Sequence, residues 1–220
     1  MRKMSKGVAA VLPVALVLAV CAAVYVLYAL EIIPHKKYTN ADFNIDDYIS
    51  KADKDGDGID DQTDMLNSVR QYIKTRPRYE SRYYASGYPN DGYGVCTDVV
   101  GFGLKGAGYD LMELVAADIE ENADRYNIEK PDPNIDFRRV VNLKVYFDNN
   151  AISLTTDCHD IDKWQGGDIV IFKKHIGVVS DKRNRRGVAY VIHHSHPMQQ
   201  NYEEDILEQR NDIVGHYRIS

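Results

Sequence analysis

Tyr93-Gly94-Val95-Cys96-Thr97-Asp98-Val99-Val100 sets a cysteine between a glycine turn and a run that suits a helix, which closes near Gly106-Ala107-Gly108. This places Cys96 at a helix N-terminus, where unpaired backbone N–H groups and the macrodipole favour the thiolate, the nucleophilic form. A free thiol with a pKa of about 8.5 is only a few per cent ionised at neutral pH, so a nucleophilic role needs a base nearby. Without one, Cys96 is a buried structural residue.

A base stands further along the chain. Trp164-Gln165-Gly166-Gly167-Asp168-Ile169-Val170-Ile171-Phe172, the connection Lys173-Lys174, and His175-Ile176-Gly177-Val178-Val179-Ser180-Asp181 read as a hairpin. His175 opens its second strand. Alternation puts Gly177 and Val179 on the same face, and a glycine there predicts the close approach of a helix end. A third strand, Val188-Ala189-Tyr190-Val191-Ile192, runs into His193-His194. A histidine here is well placed to orient His175 as the third member of a triad, and alternation gives the two opposite faces without saying which looks inward.

The 220 residues, 44% of them hydrophobic, suffice for one domain of roughly 150 residues with smaller attachments. A net charge of -6, a pI near 5.6 and scattered Lys and Arg argue against a nucleic-acid partner. The basic cluster Lys182-Arg183-Asn184-Arg185-Arg186 reads as a solvated hairpin turn. Three cysteines, at 21, 96 and 158, match no disulfide framework, zinc ribbon or CxxC pair, so cysteine chemistry must rest on one thiol. Cys158-His159 lies in a polar stretch with no helix start behind the sulfur and reads as a free surface or half-buried thiol.

From Val8 to Leu30 the chain has 23 residues without a charge, preceded by Arg2, Lys3 and Lys6. That length predicts a transmembrane anchor over residues 1–33, longer than the apolar region of about 7 to 15 residues in a cleavable signal. The basic side chains before it outweigh Lys36 and Lys37, which Glu31 offsets. The expectation is a single-pass protein of the cell membrane, its C-terminal domain extracytoplasmic, joined by a polar tether over 34–52.

Residues 53–64, Asp53-Lys54-Asp55-Gly56-Asp57-Gly58-Ile59-Asp60-Asp61-Gln62-Thr63-Asp64, fit an EF-hand calcium loop at most positions. Asp53, Asp55, Asp57 and Asp61 would supply carboxylates, Ile59 a carbonyl and Gly58 the sharp turn. Asp64 stands at the last position, where a bidentate Glu is usual, and it can also cap the next helix, whose apolar face is Met65, Leu66, Val69, Tyr72 and Ile73. The plain alternative is a solvated acidic turn. A lone imperfect loop should hold Ca2+ at about 0.1 to 1 mM, in a bracing role with no part in catalysis.

Five ordered segments resemble a known family: Gly94 to Val100, Lys130-Pro131-Asp132-Pro133-Asn134-Ile135-Asp136-Phe137-Arg138-Arg139-Val140, Gly167 to Val170, His175 to Asp181, and Gly215-His216-Tyr217-Arg218. Together they are similar to the bacterial domain-of-unknown-function family 1287, from about residue 60 to the C-terminus. That family is similar in turn to the NlpC-type branch of papain-like enzymes, many of which cut bacterial cell-wall peptides. The resemblance implies an α+β, papain-like fold over 60–220 with the cysteine helix packed on an antiparallel sheet. It implies Cys96 as nucleophile, His175 as base and His193 as orienter, although the family typically has His-Asn where this chain has His193-His194. Tyr93 and Asp98 beside the cysteine, with Arg138 and Arg139, are the candidate substrate-binding residues, the arginines for a carboxylate.

The leading expectation is therefore an extracytoplasmic cysteine hydrolase acting on an amide bond of the cell envelope, with cell-wall peptide and membrane as partners. The alternatives are a catalytically silent wall-binding module on the same scaffold, and a metal-binding protein that uses His175, His193, His194 and His196.

Overall fold

The computed structural model describes residues 6–29, 33 and 36–220, with side chains described at 13–28, 33 and 36–220. The chain divides between Lys36 and Lys37 into two units.

The first unit is helix α1 (Lys6–Ala29), with Pro13 inside it. The expected anchor is corrected here: among the described residues no helix is long and apolar enough to cross a membrane. The membrane localisation and the outward orientation that depended on the anchor fall with it. Arg2, Lys3, Leu30 and Glu31 lie outside the described residues.

The second unit begins at Lys37, before the expected domain start near residue 60. Residues 37–52 do not form a loose tether. Tyr38 bridges to Arg183, buried Asn40 donates to Gln165 Oε1 at 2.8 Å, and the Tyr48 hydroxyl donates to the Ser220 carbonyl at 2.7 Å. Helix α2 (Asp61–Lys74) follows, capped by the Asp60 carboxylate on Thr63 N–H rather than by Asp64. Its apolar face is as the periodicity predicts, with Met65, Leu66 and Val69 buried.

Strands β1 (Arg78–Tyr79) and β2 (Tyr93–Gly94) form a small parallel pair that leads into α3 (Cys96–Gly106). Then come α4 (Leu111–Glu121), the single turn α5 (Pro133–Asp136) and α6 (Val140–Asn150). Strands β3 (Ile152–Ser153), β4 (Ile169–Phe172), β5 (His175–Arg183), β6 (Ala189–Ile192), β7 (Glu203–Glu204) and β8 (Ile213–Arg218) complete an antiparallel sheet ordered β3-β8-β4-β5-β6-β7. This is a mixed α+β fold.

Two-residue alternation decides which strand side chains meet the helices. Ile169, Ile171, Ile176, Val178 and Ile192 join Val99, Val100, Leu104 and Phe147 in the main core. Val170, Phe172, Val179 and Val191 pack on the other face with Trp164, Val188 and Leu207. With both faces covered, the sheet strands read as continuous apolar runs. The basic cluster at 182–186 does sit at the β5–β6 connection, but Arg183 is not solvated. It is buried and donates to Asn40 Oδ1 and to the carbonyls of Ile161, Trp164 and Gly187.

The C-terminal motif and the Gly-Asp motif meet each other. Asp168, wholly buried, receives Arg218 Nε at 2.7 Å, Arg218 Nη2 at 2.8 Å, Gln62 Nε2 at 2.8 Å and the Gln165 N–H at 2.9 Å, with His216 Nε2 at 3.0 Å. Five contacts on one carboxylate clamp β4 to β8 and α2. Such a buried charge survives only when it is paired and fully hydrogen-bonded.

Candidate active site

Cys96 is the first residue of α3, as the glycine turn predicts. The helix start is fixed by Asp98, whose Oδ2 accepts the Val95 N–H at 2.8 Å. Asp98 in turn holds Arg138 in a bidentate pair, Nε to Oδ1 at 2.6 Å and Nη2 to Oδ2 at 2.9 Å, with Arg138 Nη1 on the Arg82 carbonyl at 2.6 Å. Both side chains are sequestered, 0% and 1% exposed, which corrects their expected role at a substrate. A fork-to-fork pair in the interior satisfies both charges and leaves nothing for a ligand. Arg139 is exposed, with Nε 3.8 Å from Asp136 Oδ1.

The backbone N–H groups of Ile176, Thr97 and Cys96 turn toward the sulfur. Burial outweighs their pull and, with the charge of Asp98, pushes the thiol up to about 11. Because Ile176 follows His175, β5 brings the imidazole to the same end of the sheet as the thiol. His175 is itself pushed down to about 3, chiefly by burial, then by His193 and Arg210, with Asp212 opposing and His194 adding. Burial thus pushes each group toward its neutral form, against the pull of the helix start on the thiol.

Of the two candidate third residues, the structure brings His193 to the base: His175 Nε2 and His193 Nδ1 are 2.9 Å apart. Gly177 makes the room, but for β6 rather than for a helix end. A Cβ there would lie 2.6 Å from Val191 Cγ1 and 3.1 Å from His193 Cβ. His194 faces away, edge-on to Tyr79 at 5.1 Å and near Tyr202, and burial lowers it to about 4. His196 lies apart from this pair, its Nδ1 accepting the Met198 N–H at 3.2 Å. The groups of side chains close enough to share a metal, among the described residues, are Asp53-Asp55-Asp57 and Asp157-Cys158-His159, so the four-histidine metal cluster is not assembled. Cys158 is buried at 8% exposure rather than at the surface, and all three cysteines are free.

Two residues of this neighbourhood escaped the sequence. Glu204, on the last strand pair, sets Oε2 2.9 Å from His193 Nε2, a buried ring nitrogen with no hydrogen-bond partner. The carboxylate sits off the ring N–H line, so the contact is one of charge and proximity. Tyr79, from β1, lies close enough to Cys96 for a thiolate there to raise the phenol, after burial as the larger cause. Beside them opens a cleft of about 370 Å³, lined by Tyr79, Tyr93, His194, Tyr202, Arg76 and Arg78 among others. Tyr93, one of the candidate substrate-binding residues, is on the wall of this cleft.

Earlier in the chain, the loop of residues 53–64 folds around Asp53: its Oδ1 accepts Gly56 N–H at 2.8 Å and its Oδ2 accepts Gly58 N–H at 3.0 Å. Gly58 turns with φ 93°, the left-handed conformation for which a glycine is needed. Asp64 is 8% exposed and burial raises it, with Asp57, Asp55 and Asp53 as the next causes. Asp61 departs from the expected ligand set, because its carboxylate accepts Lys54 N–H at 2.7 Å and the Tyr109 hydroxyl. Ile59 is turned out, 41% exposed.

Residues 66–219 match the profile of the family described as Domain of unknown function (DUF1287). The chain belongs to the DUF1287 family. It is 37% identical over 167 residues to Uncharacterized protein YijF of Escherichia coli (strain K12), across 70% of this chain and 80% of that relative. No solved structure matches. The matched region begins within α2 and runs through β8, and it includes Cys96, His175, His193 and Glu204.

Proposed function

We propose that this DUF1287 chain is a cysteine hydrolase of amide bonds on a papain-like, NlpC-type scaffold, with peptide amides of the bacterial cell wall as its substrate class. The observation that carries the proposal is the His175–His193 contact of 2.9 Å on the strand whose Ile176 N–H faces the Cys96 sulfur. In this reaction Cys96 Sγ attacks the carbonyl carbon while His175 Nδ1 takes the thiol proton. The N–H groups of Cys96 and Thr97 hold the oxyanion. His175 returns its proton to the leaving amine, and water then hydrolyses the thioester to a free acid and the thiol.

Tautomers decide whether His175 can act. The charge of Glu204, close to His193 Nε2 though not hydrogen-bonded to it, favours the tautomer with the proton on that nitrogen, which leaves Nδ1 as a lone pair able to accept His175 Nε2–H. His175 Nδ1 is then bare, as a base must be. Reversing the relay puts a hydrogen on Nδ1 and removes the base. Since the resting pair is neutral, proton transfer accompanies attack, and Glu204 supplies the nearby negative charge when the imidazolium forms.

The test is a digest of wall-derived muropeptides by the full chain and by Cys96→Ala, read by mass spectrometry. Wild type should yield fragment pairs whose masses sum to the parent plus one water, and the variant none. A wild type that binds fragments without cutting them would leave a silent binding module.

For the loop of residues 53–64 we propose a bracing Ca2+, held by Asp53, Asp55 and Asp57 and faced by Asp64. Support comes from carboxylate oxygens of the first three lying within 4.8 Å of one another, and from Asp64, which after burial is raised by the charges of Asp57, Asp55 and Asp53.

A further inference from the structure

The cleft beside the thiol has two arginines on its wall and no carboxylate among its lining residues. In a chain of net charge -6 that is an unusual local balance. Elsewhere the described arginines are mostly committed: Arg70 to Asp181, Arg82 to Glu80 and Asp91, Arg138 to Asp98, Arg186 to Glu208, Arg210 to Asp212 and Arg218 to Asp168. Arg76 and Arg78 form no ion pair among the described residues.

Both are held in place without one. The Arg78 guanidinium lies over the Tyr93 ring, 4.1 Å from its centroid, and Arg82 covers the same ring at 3.4 Å while bound to its own carboxylates. Arg78 is thus fixed by stacking, with its in-plane N–H groups left for another acceptor. Arg76 sits just past the end of α2 with φ 52°, its N–H on the Ile73 carbonyl at 3.0 Å. That left-handed position usually goes to glycine. The position sets a cation on the cleft wall, close enough to Tyr202 for its charge to act on the phenol.

The same cleft includes Tyr79, which feels the charge of Cys96, and His194, the neighbour of His193. We infer that the cleft is a carboxylate subsite, in which Arg76 and Arg78 hold an acidic group of the molecule whose amide carbonyl reaches Cys96. The inference rests on the hydrolase proposal for the link to Cys96, and names the chemistry of the substrate: an amide whose acyl or amine side carries a carboxylate within a residue or two of the scissile bond. Planar guanidinium forks match carboxylate oxygens two by two, and an open cleft leaves the contact sensitive to salt.

The test titrates N-acetylglutamic acid α-amide, which carries one carboxylate, and its neutral twin N-acetylglutamine α-amide into the full-length Cys96→Ala chain, following the arginine Nε–H signals by NMR. The subsite predicts saturable shifts at Arg76 and Arg78, with the acidic compound binding at least tenfold tighter. The Arg76→Gln, Arg78→Gln double variant, confirmed folded by its thermal melt, should lose that preference. Equal affinity for the two compounds, no saturable binding, or a preference that survives the double variant overturns the subsite. Because binding is read on a chain that cannot turn over, this outcome is independent of the muropeptide digest.

Discussion

Glu204 faces His193 across the β6–β7 pair, its Oε2 2.9 Å from the ring Nε2. The carboxylate touches neither the thiol nor the base, so its effect runs through the tautomer of His193. Glu204→Gln keeps the shape, but its amide can donate to Nε2 and reverse the relay. The expected result is a fall in kcat of about 10- to 100-fold with KM little changed. Glu204→Asp should recover part of it, and 15N spectra should show His175 with its hydrogen moved to Nδ1. An unchanged His175 tautomer in Glu204→Gln would remove Glu204 from the relay.

Alkylation of Cys96 reads the neutral pair directly. With the thiol pushed up to about 11, the thiolate fraction rises about tenfold per pH unit below that value. The iodoacetamide rate should climb steadily from pH 7 to 10. A rate that is already high and flat from pH 5 upward would mean a preformed thiolate–imidazolium pair.

Acid should weaken the fold through two histidines. His175 and His194 are lowered to about 3 and about 4, so below the unfolded value of about 6.5 the unfolded chain binds protons that the native state refuses. Stability is full above pH 6.5 and is lost as pH falls toward those folded values. His193, Arg210 and Asp212 surround His175, and His193 and His196 act on His194. Urea unfolding at pH 7 and pH 5 should differ by about 2 to 4 kcal/mol. His194→Gln should remove about half of that difference, and a slope untouched by the substitution would contradict it.

Asp98 is expected to matter for folding more than for binding. Asp98→Asn leaves the Arg138 guanidinium buried at 1% exposure without its counter-charge and should cost about 3 to 5 kcal/mol. Replacing both residues with apolar ones of similar volume should recover much of that loss. A urea midpoint unchanged in Asp98→Asn would show that the pair is not the lock on α3.

Calcium has a thermal check. At 5 mM, a site of roughly 0.3 mM affinity adds about 1.7 kcal/mol, or about 3 to 6 °C in Tm for a domain of this size. Asp53→Asn should abolish the rise. A melt indifferent to calcium and to chelator would reduce the loop to a solvated turn.

Local chemistry made much of this legible in the sequence. Cys96 after its glycine turn, the β4–β5 hairpin with His175 at its corner and the apolar face of α2 all follow from short-range rules. Long-range partners were not legible. The separation between Asp98 and Arg138 is forty residues, and their types equally suit a substrate site, so only packing shows the pair closed on itself. Alternation put His193 and His194 on opposite faces but could not orient them, because β6 is buried on both sides. Glu204 lies on a two-residue strand without periodicity, and Arg76 and Arg78 look like any solvated pair until the cleft gathers them. The apolar run near the N-terminus misled, since counting uncharged residues does not measure a spanning helix.

Nucleophilic catalysis through Cys96 leaves a covalent trace, and trapping it is the most direct measurement. The full chain is mixed with muropeptides, quenched in acid during the first turnovers and digested for mass spectrometry. The peptide containing Cys96 should carry an added mass equal to the substrate less its leaving amine, lost in Cys96→Ala together with product. Product that still accumulates with Cys96→Ala would contradict it.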